Sequence, residues 1–117
     1  MEHLYVIGID YGTDSVRALL ADAESGEEIA VAVCNYSRWG RGLYCDTAKS
    51  QFRQHPLDYL EGLEQVLRQV IAQCPAPEAI RAIAVDTTAS TPCLVDRTCT
   101  PLSLTAGYEE NPDAMFV

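Results

Sequence analysis

A carboxylate followed by a glycine turn rich in hydroxyl groups stands near the start of the chain. Asp10 ends the apolar run 6–9, and the hexapeptide Asp10-Tyr11-Gly12-Thr13-Asp14-Ser15 leads, with Arg17, into a second apolar run. A glycine turn can aim backbone N–H groups at a phosphate because no Cβ blocks the approach, and a neighbouring carboxylate can hold Mg²⁺ against the phosphate oxygens. The pattern indicates an anion-binding turn. On this short match alone, an ordinary hairpin made of turn-forming residues is the simpler interpretation.

A second carboxylate ends another apolar run. Asp86 follows residues 80–85 and precedes the hydroxyl-rich segment Thr87–Thr91. Ligands in open α/β sheets gather at the C-terminal ends of strands, so we expect Asp86 at the same edge as Asp10. The hydroxyl and backbone groups of the Thr87–Thr91 loop can donate and accept in turn, as the recognition of a polyol requires. Composition alone favours a polar turn whose hydroxyls bond the local backbone.

The elements that must position these residues follow from hydrophobic patterning. Apolar runs separated by short turns predict strands at about Leu4–Asp10, Ser15–Asp22 and Glu28–Tyr36, arranged as an antiparallel meander. The first strand is nearly all apolar, which predicts that both of its faces are covered. A strand at Ile80–Asp86 would be laid parallel to an earlier one by a helical crossover.

The crossover helix is the clearest element of the pattern. It begins at Pro56, a favoured first helical residue, and ends before Pro75. Its apolar stripe is predicted to pack on the core and consists of Leu60, Leu63, Leu67, Val70, Ile71 and Cys74. Residues 37–54 read as a long loop pinned by Trp39 and Tyr44. After the helix and its strand, residues 92–96 are predicted to be strand-like and residues 97–101 to form a turn. The pattern of residues 102–117 predicts no helix or strand.

Composition limits the function. The chain has 117 residues, 48% of them hydrophobic and 21% charged, which suits one globular domain. A net charge of −9 argues against nucleic acid or an anionic membrane as the main partner. The five cysteines form an odd set without a C-x-x-C pair, and His3 and His55 have no companion ligands, so the spacing predicts neither a zinc site nor a disulfide framework. Without a leader or a membrane-spanning run, we expect a cytoplasmic protein.

Several blocks together resemble one known family. The hexapeptide 10–15 is similar to the first phosphate motif of the FGGY carbohydrate kinases, whose nucleotide domains have a ribonuclease H-like fold related to actin and hexokinase. Four further blocks, in this order, are similar to the start of the bacterial ribulokinases within that family: Gly42-Leu43-Tyr44-Cys45-Asp46, Gln51–Tyr59, Val85–Pro92 and Glu110–Phe116. The resemblance covers essentially the whole chain but only part of a kinase.

The resemblance implies an α/β fold and an activity. It implies an ATP-dependent sugar kinase that uses Mg²⁺ and converts L-ribulose to L-ribulose 5-phosphate in L-arabinose catabolism. The residues implied at the ATP phosphates and Mg²⁺ are Asp10, Gly12, Thr13, Asp14, Ser15 and Arg17, with Asp10 as the metal residue, and those at the sugar are Thr88, Ala89 and Ser90. The family's catalytic base is an Asp that falls beyond residue 117. Residues 1–117 are therefore expected to be the N-terminal portion of the first kinase domain, without the second lobe and inactive alone.

Two alternatives stay open. The first is another FGGY kinase, acting on xylulose, glycerol or another polyol, and the second is a non-catalytic binding domain with the same half-fold. In glycerol kinases the residues that align with Ala89 and Ser90 are Arg and Glu, so this loop favours ribulose. Ribulokinases commonly have Gly at the position of Ala89, which puts the local backbone geometry in question. A partial sheet would also expose apolar surface, which favours a homo-oligomer.

Overall fold

The computed structural model describes residues 3–117. Its main elements are β1 (Tyr5–Tyr11), β2 (Ser15–Asp22), β3 (Glu28–Asn35), the short α1 (Ser37–Gly40), α2 (Pro56–Ala72) and β4 (Ile80–Thr87), with 3₁₀ turns at Thr47–Lys49, Pro77–Ala79, Leu102–Leu104 and Pro112–Ala114. The chain divides into two compact units. We call residues 3–35 and 62–88 the first unit, and residues 36–61 and 89–117 the second unit.

The first unit is a mixed four-stranded sheet. Its strand order is β3-β2-β1-β4, in which β1 pairs antiparallel with β2, β2 pairs antiparallel with β3, and β1 pairs parallel with β4. The predicted meander, crossover helix and parallel strand are therefore confirmed, with strand ends that differ from the prediction by one residue at most. The parallel pairing matters for the site because it brings the C-terminal ends of β1 and β4 to the same edge.

Only one face of the sheet is covered within the described residues. Along β1, Ile7 and Ile9 are buried, whereas Gly8 between them is exposed, and Val31 and Val33 on β3 are 58% and 50% exposed. The prediction that both faces of the first strand are covered is therefore wrong for this chain. Its apolar run has the composition of a fully covered strand, but residues 3–117 place a helix against one side only.

Helix α2 buries a stripe that overlaps the predicted one only in part. Beyond Pro56 and Asp58 in its first turn, its buried positions are Gly62, Val66 and Val70, and Cys74 just after its end is buried as well. The predicted stripe is therefore correct at Val70 and Cys74, but it is wrong at Leu60 and Ile71, which are 53% and 37% exposed. The reason is close approach: a Cβ added to Gly62 would lie 2.7 Å from Cγ1 of Val16 on β2, and only a glycine lets the helix axis come this near.

The second unit is held together by side-chain contacts. The carboxylate of Asp58, fully buried, accepts hydrogen bonds from the backbone N–H groups of Arg38 (3.2 Å) and Trp39 (3.1 Å) and from Arg38 Nη1 (2.9 Å). Asp58 thus caps the first turn of α1, which has no cap of its own at Tyr36. The Tyr44 hydroxyl donates to Glu110 Oε2 at 2.5 Å. The long predicted loop is anchored by these contacts.

The prediction that residues 92–96 are strand-like is wrong. The segment takes part only in an isolated bridge between Val95 and Pro101. The Asp96 carboxylate accepts the backbone N–H groups of Thr98 (2.8 Å) and Thr100 (3.1 Å), which turns the chain back at once. Among the residues that the structure describes, no helix is both long and apolar enough to cross a membrane.

Candidate functional site

Strand register places three charged side chains in one row. Asp10 on β1 pairs with Arg17 on β2 and with Asp86 on β4. Directly paired residues point to the same face of a sheet, so these three lie side by side on the face that α2 leaves open. The row borders a shallow cavity of about 430 Å³ that is also lined by Gly8 and Leu19. The first unit therefore presents two carboxylates and a guanidinium beside a hollow.

The charges in this row perturb one another. Arg17 Nη2 donates to Asp10 Oδ2 at 2.5 Å, with both side chains about half exposed. A hydrogen bond from Asp86 and a second one from Arg17 lower the pKa of Asp10. The same hydrogen bond to Asp10 raises the pKa of Asp86, because ionising Asp86 would set two negative charges side by side. Asp10 thus loses its proton more readily than Asp86 does.

The glycine turn follows the row directly. The Gly12 N–H donates to the Ser15 carbonyl at 2.8 Å, and Thr13 and Asp14 form the exposed tip. A Cβ at Gly12 would lie 3.2 Å from that carbonyl oxygen and 3.4 Å from Arg17 Nη2. This close approach explains why the position is occupied by glycine. The Gly12 N–H, which the sequence suggested as a phosphate donor, is used to close the turn. Of the predicted phosphate residues, the structure brings Asp10 and Arg17 into contact, sets Thr13 and Asp14 in the adjoining turn, and places Ser15 at the start of β2.

The predicted sugar residues follow β4. Thr88 is half-buried at the end of the first unit, whereas Ala89 and Ser90 are exposed and belong to the second unit. Ser90, with φ of 59°, is the residue in the left-handed region, and Ala89 is outside it. A Cβ at position 89 therefore requires no strained backbone, which answers the question raised by the absence of glycine there. The Thr91 hydroxyl donates to the Ala89 carbonyl at 3.4 Å, the local bonding expected of such a turn.

The sequence placed Asp86 at the same sheet edge as Asp10 but gave it no role among the predicted phosphate, metal and sugar residues. Its position at the end of an apolar strand was the available signal, but only the register of β1 against β4 shows that it lies directly beside Asp10. Periodicity in a single strand cannot give the register between two strands that are distant in the sequence.

The donor chemistry of the row fits Mg²⁺. This ion is bound in proteins through one or two carboxylates and completes its octahedron with phosphate oxygens and waters. Asp10 and Asp86 offer such a pair of carboxylates. Within residues 3–117 there is no group of three or more His, Cys, Asp or Glu residues that could hold a metal ion. Further ligands would come from phosphate oxygens and waters.

The sequence of the chain is similar to those of known ribulokinases. The chain is 49% identical over 115 residues to a ribulokinase of Vibrio parahaemolyticus, covering 97% of this chain and 20% of that protein. It is 37% identical over 114 residues to a ribulokinase of Halalkalibacterium halodurans, covering 92% of this chain and 20% of the relative. Over nearly its whole length, the chain is thus similar to the N-terminal part of ribulokinases. It spans only about a fifth of the length of these ribulokinases. No protein-family model matches it.

Solved structures show the same fold. A xylulose kinase from Brucella ovis superimposes with a TM-score of 0.63 at 23% identity, over 81% of this chain and 19% of that one. A gluconate kinase from Lactobacillus acidophilus superimposes with a TM-score of 0.69 at 17% identity, over 84% of this chain and 18% of that one. At these identities the likeness shows that this chain shares its fold with part of these sugar kinases, and it shows nothing about which sugar is used.

Proposed function

We propose that this chain supplies the phosphate- and Mg²⁺-binding part of an ATP-dependent kinase that phosphorylates L-ribulose to L-ribulose 5-phosphate in L-arabinose catabolism. Residues 1–117 would form the N-terminal portion of its first domain. The observation that carries the proposal is the row of Asp10, Arg17 and Asp86 beside a glycine turn. The names of the two relatives described above support ribulose as the sugar.

Each residue of the row has a role in the proposed reaction. Phosphoryl transfer is catalysed by positioning the phosphates and by neutralising the charge that develops on them. When bound, Mg²⁺ would supply part of that neutralisation. Asp10, whose pKa its hydrogen bonds lower, would hold the cation. The turn of Thr13, Asp14 and Ser15 would orient the β- and γ-phosphates, and Arg17 would add positive charge.

The sugar would lie against Thr88, Ala89 and Ser90. A small side chain at Ala89 and the hydroxyls on either side of it suit a polyol, because they leave room and offer both donors and acceptors. The base that would take the proton from the attacking sugar hydroxyl corresponds to an Asp beyond residue 117. We therefore propose that the 117-residue chain alone transfers no phosphoryl group.

A chimera tests this function. The matched N-terminal fifth of the Vibrio parahaemolyticus ribulokinase is replaced by this chain, and ATP consumption is followed in a coupled assay with L-ribulose, D-ribulose, D-xylulose and glycerol. We expect L-ribulose to give the highest kcat/KM and the isolated 117-residue chain to be silent. Turnover by the isolated chain would contradict the proposal that the 117-residue chain alone transfers no phosphoryl group.

The other outcomes of the assay favour the alternatives. A chimera that prefers D-xylulose or glycerol would show that residues 88–90 serve another polyol kinase. A chimera that folds, judged by circular dichroism, yet phosphorylates none of the four sugars would favour a non-catalytic binding domain.

A further inference from the structure

We propose that Arg17 occupies Asp10 in place of Mg²⁺ when no nucleotide is bound, and moves to the phosphate when the cation arrives. This inference rests on the proposed function and adds a device to it. The guanidinium would act as a built-in substitute for the cation, so that Mg²⁺ binds Asp10 well only together with a phosphate that receives Arg17.

The first step of the argument is that Arg17 and the cation compete for one oxygen. Arg17 Nη2 contacts Asp10 Oδ2 at 2.5 Å. Mg²⁺ would need to sit at about 2.0–2.1 Å from a ligating oxygen. Two positive groups cannot share that oxygen at these distances without strong repulsion. The other neighbour of Asp10 in the row is Asp86, which hydrogen-bonds to it. Direct binding of a cation at Oδ2 therefore requires the guanidinium to leave.

The second step is that Arg17 can leave and has a destination nearby. Its side chain is 51% exposed, so it can change rotamer without disturbing the core. Its Nη2 already lies 3.4 Å from the place where a Cβ on Gly12 would be, which puts the guanidinium against the backbone of the glycine turn. A phosphate held by that turn would meet the guanidinium directly. Arginine binds phosphate with two parallel hydrogen bonds, which favours the exchange.

The third step is a pair of effects with opposite signs. Removing the guanidinium frees Asp10, so binding of a divalent cation alone should become tighter. An exposed ion pair contributes up to ~1 kcal/mol, which corresponds to a gain in affinity of about fivefold. Removing it also deletes the phosphate partner, so binding of the cation together with triphosphate should become weaker, by a similar factor or more.

The experiment compares Arg17→Gln with a matched control. Arg68→Gln removes the same charge from the first unit, where Arg68 pairs with Glu64 at 2.8 Å on the exposed side of α2. Mn²⁺ is the probe, because its free concentration is read by electron paramagnetic resonance without any turnover. Each chain is titrated with Mn²⁺ alone and then with Mn²⁺ plus inorganic tripolyphosphate, and circular dichroism checks the fold of every variant.

The expected result is a dissociation constant for Mn²⁺ alone that falls about fivefold in Arg17→Gln, a constant for Mn²⁺ with tripolyphosphate that rises, and no change in Arg68→Gln. Arg17→Lys retains the charge but not the planar fork. It should keep the native affinity for Mn²⁺ alone while losing part of the affinity for Mn²⁺ with tripolyphosphate.

Other results separate the exchange from the proposed function. Unchanged Mn²⁺ affinity in Arg17→Gln, with triphosphate binding intact in the native chain, would overturn the exchange alone. Tighter binding of both probes would also overturn it, since Arg17 would then remain on Asp10 when phosphate is present. A native chain that binds neither probe, and that Asp10→Asn does not alter, would contradict the proposed function as well.

Discussion

Gly62→Ala is the substitution that most sharply tests how helix α2 holds the strand next to the site. The new Cβ would lie 2.7 Å from Val16 Cγ1, well inside van der Waals contact. Val16 is fully buried and β-branched, so its side chain cannot easily rotate away. It is also the residue between Ser15 of the turn and Arg17 of the row. A shift of β2 at this point would therefore be transmitted to both.

The expected magnitude follows from two opposing effects. Inserting a methyl group into a well-packed contact costs about 1–3 kcal/mol. Replacing a helical glycine by alanine gains about 1 kcal/mol in helix propensity. We therefore expect Gly62→Ala to lower the free energy of unfolding by about 1 kcal/mol.

Urea unfolding monitored by circular dichroism measures this change, and Gly40→Ala is the control. Nothing lies within 4 Å of the Cβ position at Gly40, so alanine there should stabilise the chain by about 0.4–1 kcal/mol. The contact to Val16 is isolated by a double-mutant cycle with Val16→Ala, which should relieve part of the cost of Gly62→Ala. If Gly62→Ala stabilises as much as Gly40→Ala and shows no coupling to position 16, the inferred close approach is incorrect.

Two further predictions concern the charged groups. Asp58→Ala should lower the free energy of unfolding, measured in urea, by about 3 kcal/mol, because the backbone N–H groups of Arg38 and Trp39 and one guanidinium N–H of Arg38 lose their acceptor. Glu61→Ala should lower it by no more than ~1 kcal/mol, since Glu61 is half exposed. For Asp86, a raised pKa means that the folded state holds the proton more tightly, so stability falls as pH rises from 3.8 through the folded value. Asp86→Asn should therefore raise the melting temperature at pH 7 and leave it nearly unchanged below pH ~3.8. An equal shift at both pH values would show that Asp10 and Asp86 are not coupled.

Much of the first unit could be predicted because its signals are local. The alternation and the turns of residues 5–35 determine a meander, and Pro56 marks the start of the helix. The face that the helix buries could be predicted only in part, because Leu60 and Ile71, two strongly apolar residues of the predicted stripe, are exposed. Gly62 has no side chain to register in a hydrophobic pattern, yet it allows the closest approach to the sheet.

The apolar composition of β1 and β4 explains why the predicted covering of both strand faces is wrong. Both strands are apolar enough to be covered on two sides, but Val85 on β4 is 62% exposed, at the edge of the sheet. A strand of this composition is usually internal, since exposed edges tend to carry charges or prolines. We expect these surfaces to be covered in a chain as long as the ribulokinases that match this one. The sequence pattern thus described the strand's preferred environment rather than the one that residues 3–117 provide.

The candidate site, too, could be predicted from the sequence only in part. The chemistry of Asp10 and the glycine turn could be recognised from residue types in one short segment. The use of the Gly12 N–H within the turn and the adjacency of Asp86 depend on hydrogen bonding and register, which no single segment encodes.

The measurement that tests the central claim most directly is turnover of L-ribulose by the chimera when Asp10 is replaced by Asn. The variant keeps the size of the side chain but loses the charge that would hold Mg²⁺, and Glu64→Gln on the exposed side of α2 serves as the control for charge. We predict a loss in kcat of about a hundredfold or more for Asp10→Asn, with partial recovery at high Mg²⁺, and native turnover for Glu64→Gln. Native turnover in both variants would contradict the assignment of Asp10, and with it the account of the charged row as a phosphate and Mg²⁺ site.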